Sequence, residues 1–153
     1  MRIVLYQPQI PQNTGNIVRT CKVTGTDLVL INPGFDTSDR MLKRAGLDYW
    51  EGVNVIVDTN IDLYLQEPFY FFSSKANKIY TKASYTPDAT LIFGAETTGL
   101  PEELHRDYPK QFLTLPMKPN VRCLNLATSA GIALFEAWRQ CNFQYPAELI
   151  QTS

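Results

Sequence analysis

Histidine and cysteine are nearly absent: one histidine and three cysteines in 153 residues. Cys21, Cys123 and Cys141 are odd in number and far apart, with no C-x-x-C pair. This argues against a disulfide framework and a zinc site; no metal is expected, and the free thiols favour a reducing, cytoplasmic setting. Long apolar runs are also missing. No stretch approaches the ~20 residues that cross a bilayer, and the opening run from Ile3 to Tyr6 is only a strand's length, too short for a signal peptide. Nor is there an excess of either charge. Fourteen Lys and Arg face fifteen Asp and Glu, for a net charge of −1, whereas RNA-binding domains usually carry a basic surplus. Any electrostatic footprint must therefore be local. The densest candidate is Arg40, Lys43 and Arg44, to which Arg19, Lys75, Lys78, Lys82 and Arg122 add if folding gathers them. A solvated helix face explains the same cluster.

Several catalytic signatures are missing too. The first strand is followed by Gln7, Pro8 and Gln9, with no glycine until Gly15, so there is no G-x-G-x-x-G dinucleotide turn. Gly94 and Gly99 are not followed by Gly-Lys-Ser/Thr, which removes the P-loop. No G-x-S-x-G elbow occurs, and His105 has no evident triad partner.

What remains is the pattern of one α/β domain spanning residues 1–153: 44% hydrophobic and 19% charged, with no repeat or linker. Strands are expected at 2–6, 28–31, 53–57, 69–73, 90–93 and 112–115, several as continuous apolar runs buried on both faces. Asn13 is expected to cap a helix over 13–24 that stops at Gly25. A short helix over 38–45 has Ser38 as its cap, and 61–65 is weakly helical. Leu126, Ala130, Ala133, Leu134, Ala137, Trp138 and Cys141 trace one face of a final helix. Ile132 and Phe135 fall off that stripe, so this helix is either deeply buried or part of a subunit interface.

Three stretches rich in Gly, Asn and Pro follow strands or open helices, where α/β proteins build ligand sites. They run over residues 9–21, 92–101 and 115–126. In this order and spacing they resemble the three motifs of the SPOUT methyltransferases. The matching residues are Ile10-Pro-x-Asn13-Thr-Gly-Asn-Ile-x-Arg19, Arg44-Ala-Gly-Leu-Asp48-Tyr49, Phe93-Gly-x-Glu-Thr-x-Gly-Leu-Pro101 and Glu136-Ala-Trp-Arg139-Gln140. Residues 1–145 are similar to the minimal members, the YibK/TrmL group, which methylate the ribose of the wobble nucleotide of tRNA.

The resemblance implies a parallel sheet flanked by helices with a deep C-terminal trefoil knot, a rare exception to the usual topological rules. It also implies S-adenosyl-L-methionine as cofactor, the tRNA anticodon stem-loop as partner, and a homodimer with an active site built across the interface. Cofactor contacts are implied at Phe72, Gly94, Gly99, Leu115, Met117, Cys123, Leu124 and Asn125. Without it, Phe72, Leu115 and Leu124 read as core. Gly94 and Gly99 lack a Cβ, so backbone groups there can approach a ligand closely.

A ribose hydroxyl is a poor nucleophile while a methyl sulfonium is already electrophilic, so placement and proton removal are what the protein must supply. Arg19 matches the arginine beside the acceptor ribose. Because a guanidinium stays protonated, it is expected to grip the adjoining phosphate rather than act as the base. Asn13 would hold the first loop, Glu96 would anchor that loop or face substrate, and Asn125 would cap the last helix. Cys123 stands where relatives commonly carry serine, a stronger donor. Ala127 lacks a hydroxyl found in relatives, and Thr98 replaces an arginine. The alternatives are methylation of another tRNA or rRNA ribose, and an RNA-binding module that has lost catalysis.

Overall fold

A computed structural model describes residues 1–38 and 50–145 of the chain. Six parallel strands form one sheet: β1 (Arg2–Tyr6), β2 (Asp27–Ile31), β3 (Val55–Asp58), β4 (Phe69–Phe72), β5 (Thr90–Phe93) and β6 (Phe112–Leu113). Their order across the sheet is β3-β2-β1-β5-β4-β6. The helices are α1 (Pro11–Thr24), α2 (Glu102–Asp107) and α3 (Leu126–Gln140).

Both faces of the sheet are covered, which is why its central strands read as unbroken apolar runs rather than alternating ones. Ile3, Leu5, Leu28, Leu30, Leu91 and Phe93 point to one face, where Ile17, Val18 and Cys21 of α1 meet Ala130, Ala133, Leu134 and Ala137 of α3. Val4, Val29, Ile31, Phe71 and Ile92 point to the other, under Tyr64, Leu100, Leu104 and Phe112. The alanines of α3 let it lie close against α1 and the sheet. Its outer side keeps Ile132 and Phe135 exposed at 38% and 43%. Trp138 there takes edge contacts from Phe135, Phe143 and Tyr145 at 5.2–5.6 Å between ring centres.

Several expectations shift. The helix assigned to 13–24 begins at Pro11, two residues earlier, so Asn13 lies inside its first turn and does not cap it. Ile10 holds the cap position with extended backbone and no capping side chain. Pro11 suits that start because its missing N–H would be unpaired in any case. Gly25 does end the helix, left-handed at φ 65°. The strand expected at 53–57 runs Val55–Asp58, and those at 69–73 and 112–115 end at Phe72 and Leu113. α2 was not expected at all, because six residues are too few to show a helical period. The helix expected at 38–45 and the Arg40–Arg44 cluster lie outside the described residues.

From β1 the chain moves outward to β2 and β3, then returns to build β4, β5 and β6 on the other side. The boundary between β1 and β5 is therefore a topological switch point, and ligand crevices in such sheets open beyond the strands' carboxyl ends there. The first two motif loops leave the sheet at that point: residues 7–10 follow β1 and residues 94–101 follow β5.

Candidate active site

Glu96 joins the first two motifs. Its Oε2 accepts from the Gln9 backbone N–H at 2.7 Å, and its Oε1 from the Ile10 N–H at 3.0 Å and Asn13 Nδ2 at 3.3 Å. A carboxylate is thus set against the start of α1, where the helix dipole and unpaired amides favour negative charge. Gln9 makes a second contact: its Oε1 accepts from Thr97 Oγ1 at 2.6 Å and from the Thr97 N–H at 3.3 Å. Gln9 and Thr97 were not singled out from the sequence, where nothing marks them beyond lying inside the motifs.

Asn13 passes the connection to the third motif. Its Oδ1 accepts from Asn125 Nδ2 at 2.9 Å, and Asn125 Oδ1 accepts in turn from the Ala127 and Thr128 N–H groups at 2.8 and 3.3 Å. Asn125 is therefore the expected N-cap of α3, and its other end is held by α1. Three segments far apart in sequence meet on one chain of hydrogen bonds, Glu96–Asn13–Asn125. Asn13, only 6% exposed, sits at its centre with both ends of its amide satisfied.

The 94–101 loop is shaped by two glycines for different reasons. Ala95 and Gly99 exchange backbone hydrogen bonds at 2.9 and 3.3 Å, closing a tight turn. A Cβ on Gly94 would lie 2.2 Å from the Gly99 carbonyl carbon and 2.5 Å from Leu100 N. The room at Gly94 is thus taken by the loop's own backbone, not by a ligand as the sequence suggested. Gly99 has φ 67° and nothing within 4 Å of its missing Cβ, so it leaves the loop's outer side open.

The remaining cofactor candidates separate by burial. Phe72 belongs to the core, 8% exposed and stacked on Phe93 at 4.7 Å. Leu115 is half-buried at the end of a strip where Thr114 pairs with Lys78 and Tyr80, and Leu113 with Ser73. Residues 116–125, with Met117, Cys123 and Leu124, are all exposed. Exposed backbone amides and carbonyls beside apolar side chains are the kind of groups that read a purine ring. Among the described residues, no group of three or more His, Cys, Asp or Glu could hold a metal, and no helix is long and apolar enough to cross a membrane.

Arg19 is on the exposed side of α1, three residues from Asn16 and so on the same face. Its helix is fixed at the start by Glu96 and along its inner side by the core. The fourth matched stretch is structural. Glu136 accepts from Arg139 Nε and Nη2 at 2.8 and 3.0 Å and from Gln140 Nε2 at 2.9 Å. These bonds, that with Arg139 foremost, hold its carboxyl below the usual range. Gln140 also bonds Ala83 O and the Tyr85 N–H, tying α3 to the segment before β5.

A parallel sheet with three polar loops locked together beyond its carboxyl ends is the layout of a ligand-binding α/β protein. Comparison with known proteins narrows that class: the chain belongs to the SpoU rRNA Methylase family, whose model matches residues 1–135. A relative from Methylovorus glucosotrophus, named tRNA (cytidine(34)-2′-O)-methyltransferase, is 44% identical over 147 residues, 92% of this chain and 96% of that one. A structure described as giving insights into 2-OH methylation of C/U34 on tRNA superposes with a TM-score of 0.80. It is 39% identical, over 92% of this chain and 90% of the other. An AdoMet-bound rRNA methyltransferase from Sinorhizobium meliloti is 26% identical with a TM-score of 0.77, over 90% of this chain and 55% of that one.

Proposed function

We propose that the chain is a tRNA 2′-O-methyltransferase that transfers the methyl group of S-adenosylmethionine to the ribose 2′-hydroxyl of the wobble nucleotide, a cytidine or uridine derivative at position 34. The observation that carries this reading is the Glu96–Asn13–Asn125 chain, which ties the helix bearing Arg19 to the cofactor loops. Relatives of nearly the same length carry this activity in their names.

When bound, S-adenosylmethionine supplies an electrophilic methyl group. The open side of Gly99 and the backbone of residues 115–125 would hold its adenosine, with Leu115, Met117 and Leu124 as walls, Phe72 behind them and Cys123 at the rim. Asn125 and Asn13 keep those loops in register with α1. Arg19 then fixes the phosphate beside the target ribose, so that the 2′-oxygen is aligned for in-line attack. The hydroxyl proton leaves to phosphate or solvent, since a guanidinium already carries its full complement of protons. Glu96 acts through the loop it anchors, as a positioning residue.

We infer a homodimer as the working form. One protomer leaves residues 116–125, Ile132 and Phe135 uncovered, and a two-fold contact is the commonest way to bury such a surface. We also infer the C-terminal trefoil knot, recognition of the anticodon stem-loop, and a cytoplasmic location, where tRNA is found. A second acceptor, a ribose of rRNA, is favoured by the 26% identity to an rRNA enzyme. In-vitro methylation of total tRNA and of rRNA, followed by nucleoside mass spectrometry, tests both. The expected product is 2′-O-methylated nucleoside from position 34 of tRNA; product from rRNA alone would replace the first reading with the second.

A further inference from the structure

A cleft of about 520 Å³ opens at the other side of the sheet from α1, lined by Lys75, Ala76, Asn77, Lys78, His105, Pro109, Lys110 and Phe112. Those residues include three of the chain's lysines and its single histidine, and none of its fifteen acids. Lys75 is paired with Glu102, so the positive surplus of the cleft is that of Lys78 and Lys110. The cleft arises from three separate segments: the loop after β4, α2, and the turn before β6.

Each part is held in place. Lys75 Nζ is bonded to Glu102 at 2.7 Å, an exposed pair that joins the loop after β4 to α2 and draws the Glu102 carboxyl below its usual range. The Lys78 carbonyl accepts from the Thr114 N–H at 2.8 Å, so the loop's backbone is pinned beside β6. His105 lies flat on Phe112, ring centres 3.9 Å apart and 24° between planes. Lys78 and Lys110 are exposed and form no ion pair with any described residue. Two uncommitted ammonium groups therefore face a concave site with a rigid aromatic floor. The loop after β4 leaves the same end of the sheet as the motif loops.

We propose that this cleft takes a backbone phosphate of the RNA substrate, outside the site where Arg19 acts, with Lys78 and Lys110 as its contacts. This rests on the RNA methyltransferase reading and names how a chain without net positive charge captures its substrate. Phosphate contacts of this kind set register and affinity without reading bases. Such a contact contributes equally to bound substrate and transition state, so it lowers KM and leaves kcat alone.

The test titrates the full-length protein with tRNA between about 50 and 200 mM salt, where counterion release sets the slope. It compares the unmodified protein with Lys78→Gln/Lys110→Gln and with Lys78→Glu/Lys110→Glu. Losing that one phosphate contact should reduce the slope of log affinity against log salt by about 0.7–0.9 in the Gln pair. KM for tRNA should rise roughly tenfold, with kcat at saturating tRNA and S-adenosylmethionine affinity unchanged. The Glu pair should bind more weakly still. Unchanged slope and KM in both variants, while the unmodified protein binds and methylates tRNA, would overturn the proposal. So would a loss of cofactor affinity in the Gln pair that matches its loss of tRNA affinity. If competing inorganic phosphate binds in the cleft without displacing tRNA, the site serves a free anion and the proposal also fails. Absence of RNA binding by the unmodified protein overturns the methyltransferase reading itself, and this proposal with it.

Discussion

Arg19 and Gly94 show two different reasons why a residue type is required. If Arg19 orients the acceptor phosphate, Arg19→Ala should lower methyl transfer by about a hundredfold or more while S-adenosylmethionine affinity, read by calorimetry, stays within twofold. Full activity in that variant would remove Arg19 from the mechanism. Gly94 is needed for packing: an added Cβ would meet the backbone of Gly99 and Leu100 at 2.2–2.7 Å. Gly94→Ala should cost about 1–3 kcal/mol, as overpacking does, and lower Tm by roughly 3–10 °C. The thiols differ in the same residue-specific way. Burial pushes Cys21 up to about 12 and raises Cys141, while Cys123 is exposed. Iodoacetamide at pH 8 should therefore leave Cys21 and Cys141 unlabelled until the protein unfolds, because the thiolate is the reactive form. Labelling of Cys21 in the native protein would contradict its place on the inner face of α1.

At the scale of elements, the strands and long helices were legible because burial on one or two faces writes a period into the sequence. β1, β2 and β5 are apolar at every central position, and α3 repeats its alanines every three or four residues. α2 left no such trace, since it contributes little more than Leu104 to the core. The motif loops were legible in composition but not in geometry. Asn13 looked like a cap because asparagine before an apolar helix usually is one. Its real partners, Glu96 and Asn125, lie 83 and 112 residues away in sequence, and no local pattern encodes contacts of that range. Asn125→Ala removes both the cap of α3 and the bond to Asn13. It should cost about 1–2 kcal/mol in urea unfolding and weaken cofactor binding as well. A stability loss with unchanged cofactor affinity would confine Asn125 to capping.

At the scale of the molecule, one protomer presents an incomplete surface. The uncovered side of α3 and the exposed 116–125 segment should be buried by a second copy, so sedimentation at micromolar concentration should give twice the 17.4 kDa chain mass. A monomer under those conditions would remove the support for a shared site. The Glu96–Asn13–Asn125 chain also gives cofactor and RNA affinities a physical route by which to depend on each other. Asn125 borders the loops that would receive the cofactor, and Asn13 lies in the helix that presents Arg19. If a ligand on the first side limits the motion of Asn125, the first turn of α1 stiffens with it. By thermodynamic reciprocity, RNA bound against α1 must then tighten the grip on the cofactor by the same factor. Departure of either product would then loosen the hold on the other.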